Sequence, residues 1–208
     1  MKTSLEAIRR RDLIEAAYQT FLEFGLKGMT AARIGKRAGL SHGMINYYFK
    51  SKDELLTAVV RHANRTIMDE TRRRLRDGGG PKERLLAVLE SHFPEESFNS
   101  ATANAWLSFY AAVPDNKDFV RIHNVYYKRL HSNLVYNLRQ LVSEKEAHII
   151  AVELSTLIDG LWMRCGIEAS GTSRQQAIDL ILHYLNNCLG RADGARLQDA
   201  GPAQHRFG

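Results

Sequence analysis

The chain has 208 residues, 44% of them hydrophobic and 25% charged, with a formal net charge of +6. That length allows two compact units with buried cores, and the composition excludes a disordered or fibrous chain. Two cysteines, no apolar run near ~20 residues and no signal peptide argue against a disulfide scaffold, a membrane span and secretion, so a cytoplasmic protein is expected.

Positive charge is densest at the start, where residues 1–60 hold ten Lys or Arg against six Asp or Glu. Such a balance suits a polyanionic partner, whose binding would weaken with salt as counterions are retained. The opening helix is expected over residues 4–24, with Leu13, Ala17, Phe21 and Phe24 on one side and Gly25 as its stop. Its Arg9, Arg10 and Arg11 would lie along a nucleic-acid backbone.

Residues 30–52 then spell two short helices joined by a tight turn at Ala38, Gly39 and Leu40, the helix-turn-helix shape. Thr30 and Ser41 each precede a helix, where a hydroxyl can accept from an orphan amide one turn inside. On the second helix Ile45, Tyr48 and Phe49 share the face that buries against Ile34 and Ala38. His42, Gly43, Asn46 and Tyr47 are left on the opposite face, which carries no acid. Gly43 allows close approach of the backbone, Asn46 can pair with an adenine edge, and Tyr47 can donate to a phosphate oxygen. The candidate contacts to double-stranded DNA are Thr30, Arg33, His42, Gly43, Met44, Asn46, Tyr47 and Lys52. A helical hairpin that only packs is the bland alternative on shape alone.

Ser51-Lys52-Asp53-Glu54 reads as a capping box that opens a long fourth helix carrying Leu55, Val59, His62 and Met68 toward Arg76. Its tilt would transmit a signal between the two units. Three glycines at 78–80 lack the Gly-Lys-Ser/Thr of a phosphate loop and mark a turn, after which Pro81 restarts a helix. Further helices are expected over 81–92, 99–113, 116–141, 144–169 and 173–189. No strand is expected, so the fold class is all-α, with a three-helix DNA-binding domain over 1–50, a larger helical effector-binding and dimerisation domain over 51–190, and a frayed tail over 191–208.

Ile150, Leu154, Leu157, Ile158, Leu161 and Cys165 make one stripe, and Ile178, Ile181, Leu182, Leu185 and Leu189 another; these can pair across a dimer or fill a monomer's core. In the middle of the chain Trp106, Phe109 and Tyr110 fall at i, i+3 and i+4, and Trp162 follows Asp159 by three. Rings so spaced fill cores more often than they form cages. If Trp106, Phe109, Tyr110 and Trp162 converge with Asp159, they offer ring faces and a carboxylate to a small-molecule ligand. Otherwise Asp159 is satisfied by Arg164, His131 or a backbone amide.

The eight histidines are scattered, and no His-Glu-x-x-His, Cys-x-x-Cys or Gly-x-Ser-x-Gly occurs, so no catalytic or metal site and no cofactor is expected.

Gly39-Leu40-Ser41-x-Gly43-x-Ile45-x-Tyr47-Tyr48-Phe49-x-x-Lys52-x-x-Leu55, preceded by Thr30, Ile34 and Ala38, resembles the recognition segment of TetR-type transcriptional regulators. It departs at Asn46, where many members carry tyrosine, and at Gly35, where alanine is usual. Ala105-Trp106-Leu107, Arg129 through Leu134 and Leu157 through Arg164 are similar to the effector domain of choline-responsive repressors of glycine-betaine synthesis. The resemblance implies a homodimer formed through the last two helices, a palindromic operator, and a small-molecule effector of the choline type. A DNA-binding regulator with another effector, or with none, is the competing expectation.

Overall fold

The computed structural model describes residues 5–76, 78–167 and 171–199, with His42 and residues 192–199 described in backbone only. Helices fill these spans in the order α1 (Leu5–Gly28), α2 (Ala31–Ala38), α3 (His42–Tyr48), α4 (Lys52–Leu75), α5 (Pro81–Ser91), α6 (Ser100–Tyr110), α7 (Lys117–Leu138), α8 (Glu144–Ile167) and α9 (Arg174–Asp199). Among the described residues there is no strand.

Local chemistry sets the boundaries. Thr30 accepts from the Arg33 amide and Ser41 from the Met44 amide, while Gly39 takes the left-handed conformation that closes α2. Ser51 accepts from the Glu54 amide at 3.1 Å; the Glu54 carboxylate returns to the Lys50 amide rather than to that of Ser51. Asn99 and Asn116 cap α6 and α7, and Pro81 opens α5.

Gly25 does not end α1 outright. It breaks the helix with φ 65°, and a final turn continues to Gly28. The break frees the Leu26 amide, which donates to Ser108 Oγ of α6 at 2.9 Å. Ser108 in turn donates to the Ala105 carbonyl at 2.6 Å.

Two apolar cores result. The first gathers Leu13, Ala17 and Phe21 of α1, Ile34 of α2, Ile45 and Phe49 of the recognition segment, Leu55 and Val59 of α4, Ala105 and Phe109 of α6, and Phe119 of α7. The helix-turn-helix is thus seated on helices that lie beyond residue 50. The second gathers Leu85, Leu89 and Phe93 with Leu134 and Leu138 of α7, Leu154 and Ile158 of α8, and Ile181 and Leu185 of α9. Each such side chain contributes about 1.5–3 kcal/mol of burial.

The stripes on α8 and α9 turn inward: Ile150, Leu154, Ile158, Leu161, Cys165, Ile178, Ile181 and Leu185 are all buried within the protomer, and Leu157, Leu182 and Leu189 are packed half-buried against that core. Helical periodicity identifies an apolar face without saying what covers it. One sequence expectation, the frayed tail over 191–208, needs correction: α9 runs on through residues 191–199, a stretch rich enough in Ala, Arg, Leu and Gln to extend a helix already begun. Residues 200–208 lie outside the described residues.

A Cβ at position 25 would meet Ser108 Oγ at 3.2 Å and would have to adopt a positive φ. Gly25→Ala is expected to lower unfolding stability by about 1–2 kcal/mol, read as an earlier urea midpoint; an unchanged midpoint would show that the break carries no strain for a side chain.

Candidate functional site

Two surfaces were expected to carry function, and the first is α3. Gly43, Asn46 and Tyr47 are exposed, Tyr47 at 72%, whereas Ile45 and Phe49 are 4% and 3% exposed. A Cβ added at Gly43 would meet only Ser41 Oγ, at 4.0 Å, so its backbone is open to an approaching surface. Met44 is half-buried at the edge of this face, and the His42 side chain lies outside the described residues. Thr30 and Lys52, at the starts of α2 and α4, are both exposed. Arg33 is also exposed but already engaged: its guanidinium donates to the Gly28 carbonyl at 2.9 Å and lies 4.3 Å above the Phe24 ring. Arg10 stacks on the Phe49 ring at 4.6 Å, tying the basic start of α1 to the end of the recognition helix.

Gly35 has a reason to lack a side chain. Its would-be Cβ stands 2.6 Å from the Leu40 carbonyl oxygen, while its own carbonyl accepts from the Leu40 amide at 2.9 Å. The turn between α2 and α3 closes tightly over this position.

The second surface is internal. A cavity of about 110 Å³ lies between α1, α4, α6 and α8, and Trp106, Tyr110, Asp159 and Trp162 all line it. The sequence paired these four, and the fold brings them together. Phe109 is a correction: it is 2% exposed, packs on Phe119 at 5.3 Å, and belongs to the core under the helix-turn-helix. On a helix, the residue before Tyr110 points away from the face that Tyr110 presents.

The rings are held by their neighbours. Trp106 meets Phe21 edge-on at 5.2 Å and lies 6.3 Å from Tyr110; Trp162 meets Phe98 edge-on at 4.7 Å. The Trp162 indole donates to the His92 carbonyl at 3.0 Å, which fixes the plane of its ring. Tyr18 of α1, His92 at the end of α5 and Tyr126 of α7 complete the wall, and none of the three was singled out from the sequence.

Asp159 is not satisfied by Arg164, by His131 or by a backbone amide. It accepts from the Tyr127 hydroxyl, and the Tyr127 ring lies 4.5 Å from that of His123. Burial raises the Asp159 carboxyl above the ordinary carboxylate range, and the Tyr127 hydrogen bond and the His123 imidazole pull the other way. Burial also raises the phenols of Tyr110, Tyr126 and Tyr127, and Tyr18 is pushed up to about 12, so the wall keeps neutral hydroxyls. Among the described residues no Lys or Arg lines the cavity.

Outside this cavity a wider groove of about 1000 Å³ shares Tyr18, Thr66, Glu70 and Pro94 with it. Glu15, Glu23, Glu70, Glu90, Glu95 and Glu96 line the groove against Arg37, Arg73 and Arg74. Glu70 is held below the usual carboxylate range chiefly by its hydrogen bond from Arg73, and Arg74 bridges it to Glu90. The excess of carboxylates at this mouth attracts cations.

Among the described residues no group of His, Cys, Asp and Glu is arranged to hold a metal ion, and no helix is long and apolar enough to cross a membrane.

Residues 13–59 match the family of bacterial regulatory proteins of the tetR type, and residues 81–190 match the C-terminal domain of BetI-type transcriptional repressors. The chain is 35% identical over 184 residues to the HTH-type transcriptional regulator BetI of Brucella suis, spanning 88% of this chain and 93% of that one. It is 33% identical to the BetI regulator of Yersinia pestis, over 90% and 96% of the two chains. A protein of Pseudomonas aeruginosa superposes with a TM-score of 0.72 at 28% identity, covering 91% of this chain and 93% of that chain. A Saccharomonospora viridis protein crystallised in complex with choline shares the fold, with a TM-score of 0.77 at 22% identity over 85% and 95% of the chains. These relatives are regulators rather than enzymes, and the chain belongs to the TetR family of transcriptional regulators, with a BetI-type repressor domain after its helix-turn-helix.

Proposed function

We propose that this repressor binds a palindromic operator as a cytoplasmic homodimer and releases it when a quaternary ammonium cation of the choline type enters the aromatic cavity. The observation that carries the reading is the convergence of Trp106, Tyr110 and Trp162 with Asp159 in a space that, among the described residues, is bare of Lys and Arg. Ring faces attract a cation that has no proton to donate, and the carboxylate supplies the net charge. The cavity, at about 110 Å³, is far below the roughly 300–1,000 Å³ of drug-sized sites, which suits a compact ligand. The choline bound by the Saccharomonospora viridis relative supports the same chemistry.

The wall and the DNA face are joined by two elements. Helix α4 presents Lys52 at one end and Asn64, Ile67 and Glu70 to the cavity, with about 22 Å between Lys52 and Ile67 at a rise of about 1.5 Å per residue. Helix α6 carries Trp106 and Tyr110 on one side and, on another, Ser108, which holds the break in α1. A ligand that prefers one setting of these helices shifts operator affinity by its differential affinity for the two settings.

For the homodimer, α8 and α9 have an apolar outer face distinct from the inward stripes. Ile149, Val152, Met163 and Ile167 of α8 are 47–65% exposed and recur at helical spacing, as does Leu180 of α9 at 53%. Gly160 lies among them with nothing near its missing side chain, which permits a second helix to approach closely. Tyr184 of α9 donates to Glu153 of α8 beside this face.

Three outcomes are expected. On an operator selected from random duplexes, Asn46→Ala should cost on the order of 1–3 kcal/mol through lost base contact, and Tyr47→Ala should also weaken binding. Lys52→Ala should flatten the salt slope by about 1; unchanged gel-shift affinity in all three would refute the DNA face. Sedimentation should give a dimer for the wild type, and Val152→Asp or Leu180→Asp should give a folded monomer because the new charge would be buried only in the pair. A wild type that stays monomeric at micromolar concentration, with or without DNA, rules out the symmetric operator.

The third outcome concerns the ligand. Choline at millimolar levels should quench tryptophan fluorescence and lower operator affinity together, and Trp162→Ala should abolish both responses. Each desolvated ring contributes roughly 0.5–2 kcal/mol. Only ionised Asp159 attracts the cation, and its carboxyl titrates above the ordinary carboxylate range. Choline affinity should therefore rise with pH through that interval and weaken as acid protonates the group. A choline titration that changes neither fluorescence nor DNA binding refutes the ligand reading alone.

A further inference from the structure

One imidazole in the cavity wall has no part in the cation-binding scheme. His92 follows the last turn of α5, is 6% exposed and lines the cavity. Its Nδ1 lies 2.7 Å from the Val88 carbonyl oxygen. A carbonyl only accepts, so Nδ1 carries the ring proton and donates it. Burial holds the imidazole below its ordinary pKa, which keeps the ring neutral. In that tautomer Nε2 bears a lone pair, and among the described residues it has no hydrogen-bond donor.

Resting on the quaternary ammonium reading of this cavity, we propose that His92 Nε2 accepts a hydrogen bond from the hydroxyl of a cationic amino alcohol, making His92 the residue that selects a ligand with an uncharged, proton-donating tail. An apolar tail of equal length would displace solvent from the Nε2 lone pair without offering it a donor, and that loss is what separates the two ligands. A carboxylate tail fares worse, since it has no proton for Nε2, meets the negative charges of Asp159 and Glu70, and finds no Lys or Arg among the described residues of the wall. The phenols of Tyr110 and Tyr126 can donate to either oxygen-bearing tail, so they do not discriminate between them. The Val88 carbonyl also accepts from Ser91 Oγ at 2.7 Å, so replacing His92 does not orphan it.

Calorimetric titration of the full chain with choline, with n-propyltrimethylammonium, in which a methyl replaces the hydroxyl, and with glycine betaine tests this. The ratio of choline to propyl affinity is read within each protein, so a general loss of fold lowers both and leaves the ratio alone. The wild type should favour choline by about tenfold, His92→Phe should bring the ratio near one, and His92→Gln, which keeps an acceptor, should retain part of it. Glycine betaine should bind the wild type more weakly than the propyl cation. A wild-type ratio near one, an undiminished ratio in His92→Phe, or betaine binding as tightly as choline would overturn the role of His92 while leaving the cation site standing. Failure of both cations to bind the wild type would instead overturn the cation site, and the selectivity with it.

Discussion

A single unbroken helix has to reach from the core beneath the helix-turn-helix to the wall of the cavity, and the remaining architecture follows from that constraint. Helix α4 is anchored at its start by the Ser51 and Glu54 caps, buries Leu55, Leu56 and Val59 beneath the helix-turn-helix, and then forms part of the cavity wall. Without a break, movement at the wall is carried to Lys52 as a tilt rather than absorbed. The buried Thr71–Ser91 hydrogen bond at 2.7 Å and the Glu70–Arg74–Glu90 link pin the far end of α4 to α5. The break is placed elsewhere, at Gly25, where α1 is interrupted and the Leu26 amide donates to Ser108.

The cavity is built on an electrostatic imbalance. A half-buried carboxylate with no Lys or Arg beside it among the described residues is costly, and Asp159 is in that position, held by a neutral phenol and attracted at longer range by His123. That cost is relieved by proton uptake or by a cation entering the cavity. The ring faces of Trp106, Tyr110 and Trp162 favour the second route for an ion that carries methyl groups instead of donors. The acidic groove outside brings such ions to the mouth, and Glu70 belongs to both spaces.

The helix-turn-helix was legible because its determinants are local: Thr30, Gly39 and Ser41 act within one turn of where they stand, and the burial of Ile45 and Phe49 leaves Asn46 and Tyr47 outside. Trp106, Tyr110, Asp159 and Trp162 were legible as ring and carboxylate groups at helical spacing, though only the fold joins α6 to α8. Tyr18, His92 and Tyr126 escaped notice because each comes alone from a separate helix, and no spacing links them. The partner of Asp159 is none of the expected Arg164, His131 or backbone amide but the phenol of Tyr127, which a sequence presents as an ordinary core ring. Phe109 misled, and the α8 and α9 stripes stayed open between a dimer and a core, for one reason: periodicity reveals that a face is apolar, and tertiary packing decides whether it meets a ligand, a partner or the chain itself.

The central claim is that cavity and operator face are coupled through α4 and α6, and coupling between two binding sites is reciprocal. The direct measurement is choline affinity for the free chain and for the chain saturated with its selected operator, set beside operator affinity with and without saturating choline. The account predicts that operator weakens choline binding by the same factor by which choline weakens operator binding. Equal choline affinity in the free and operator-bound states would contradict it.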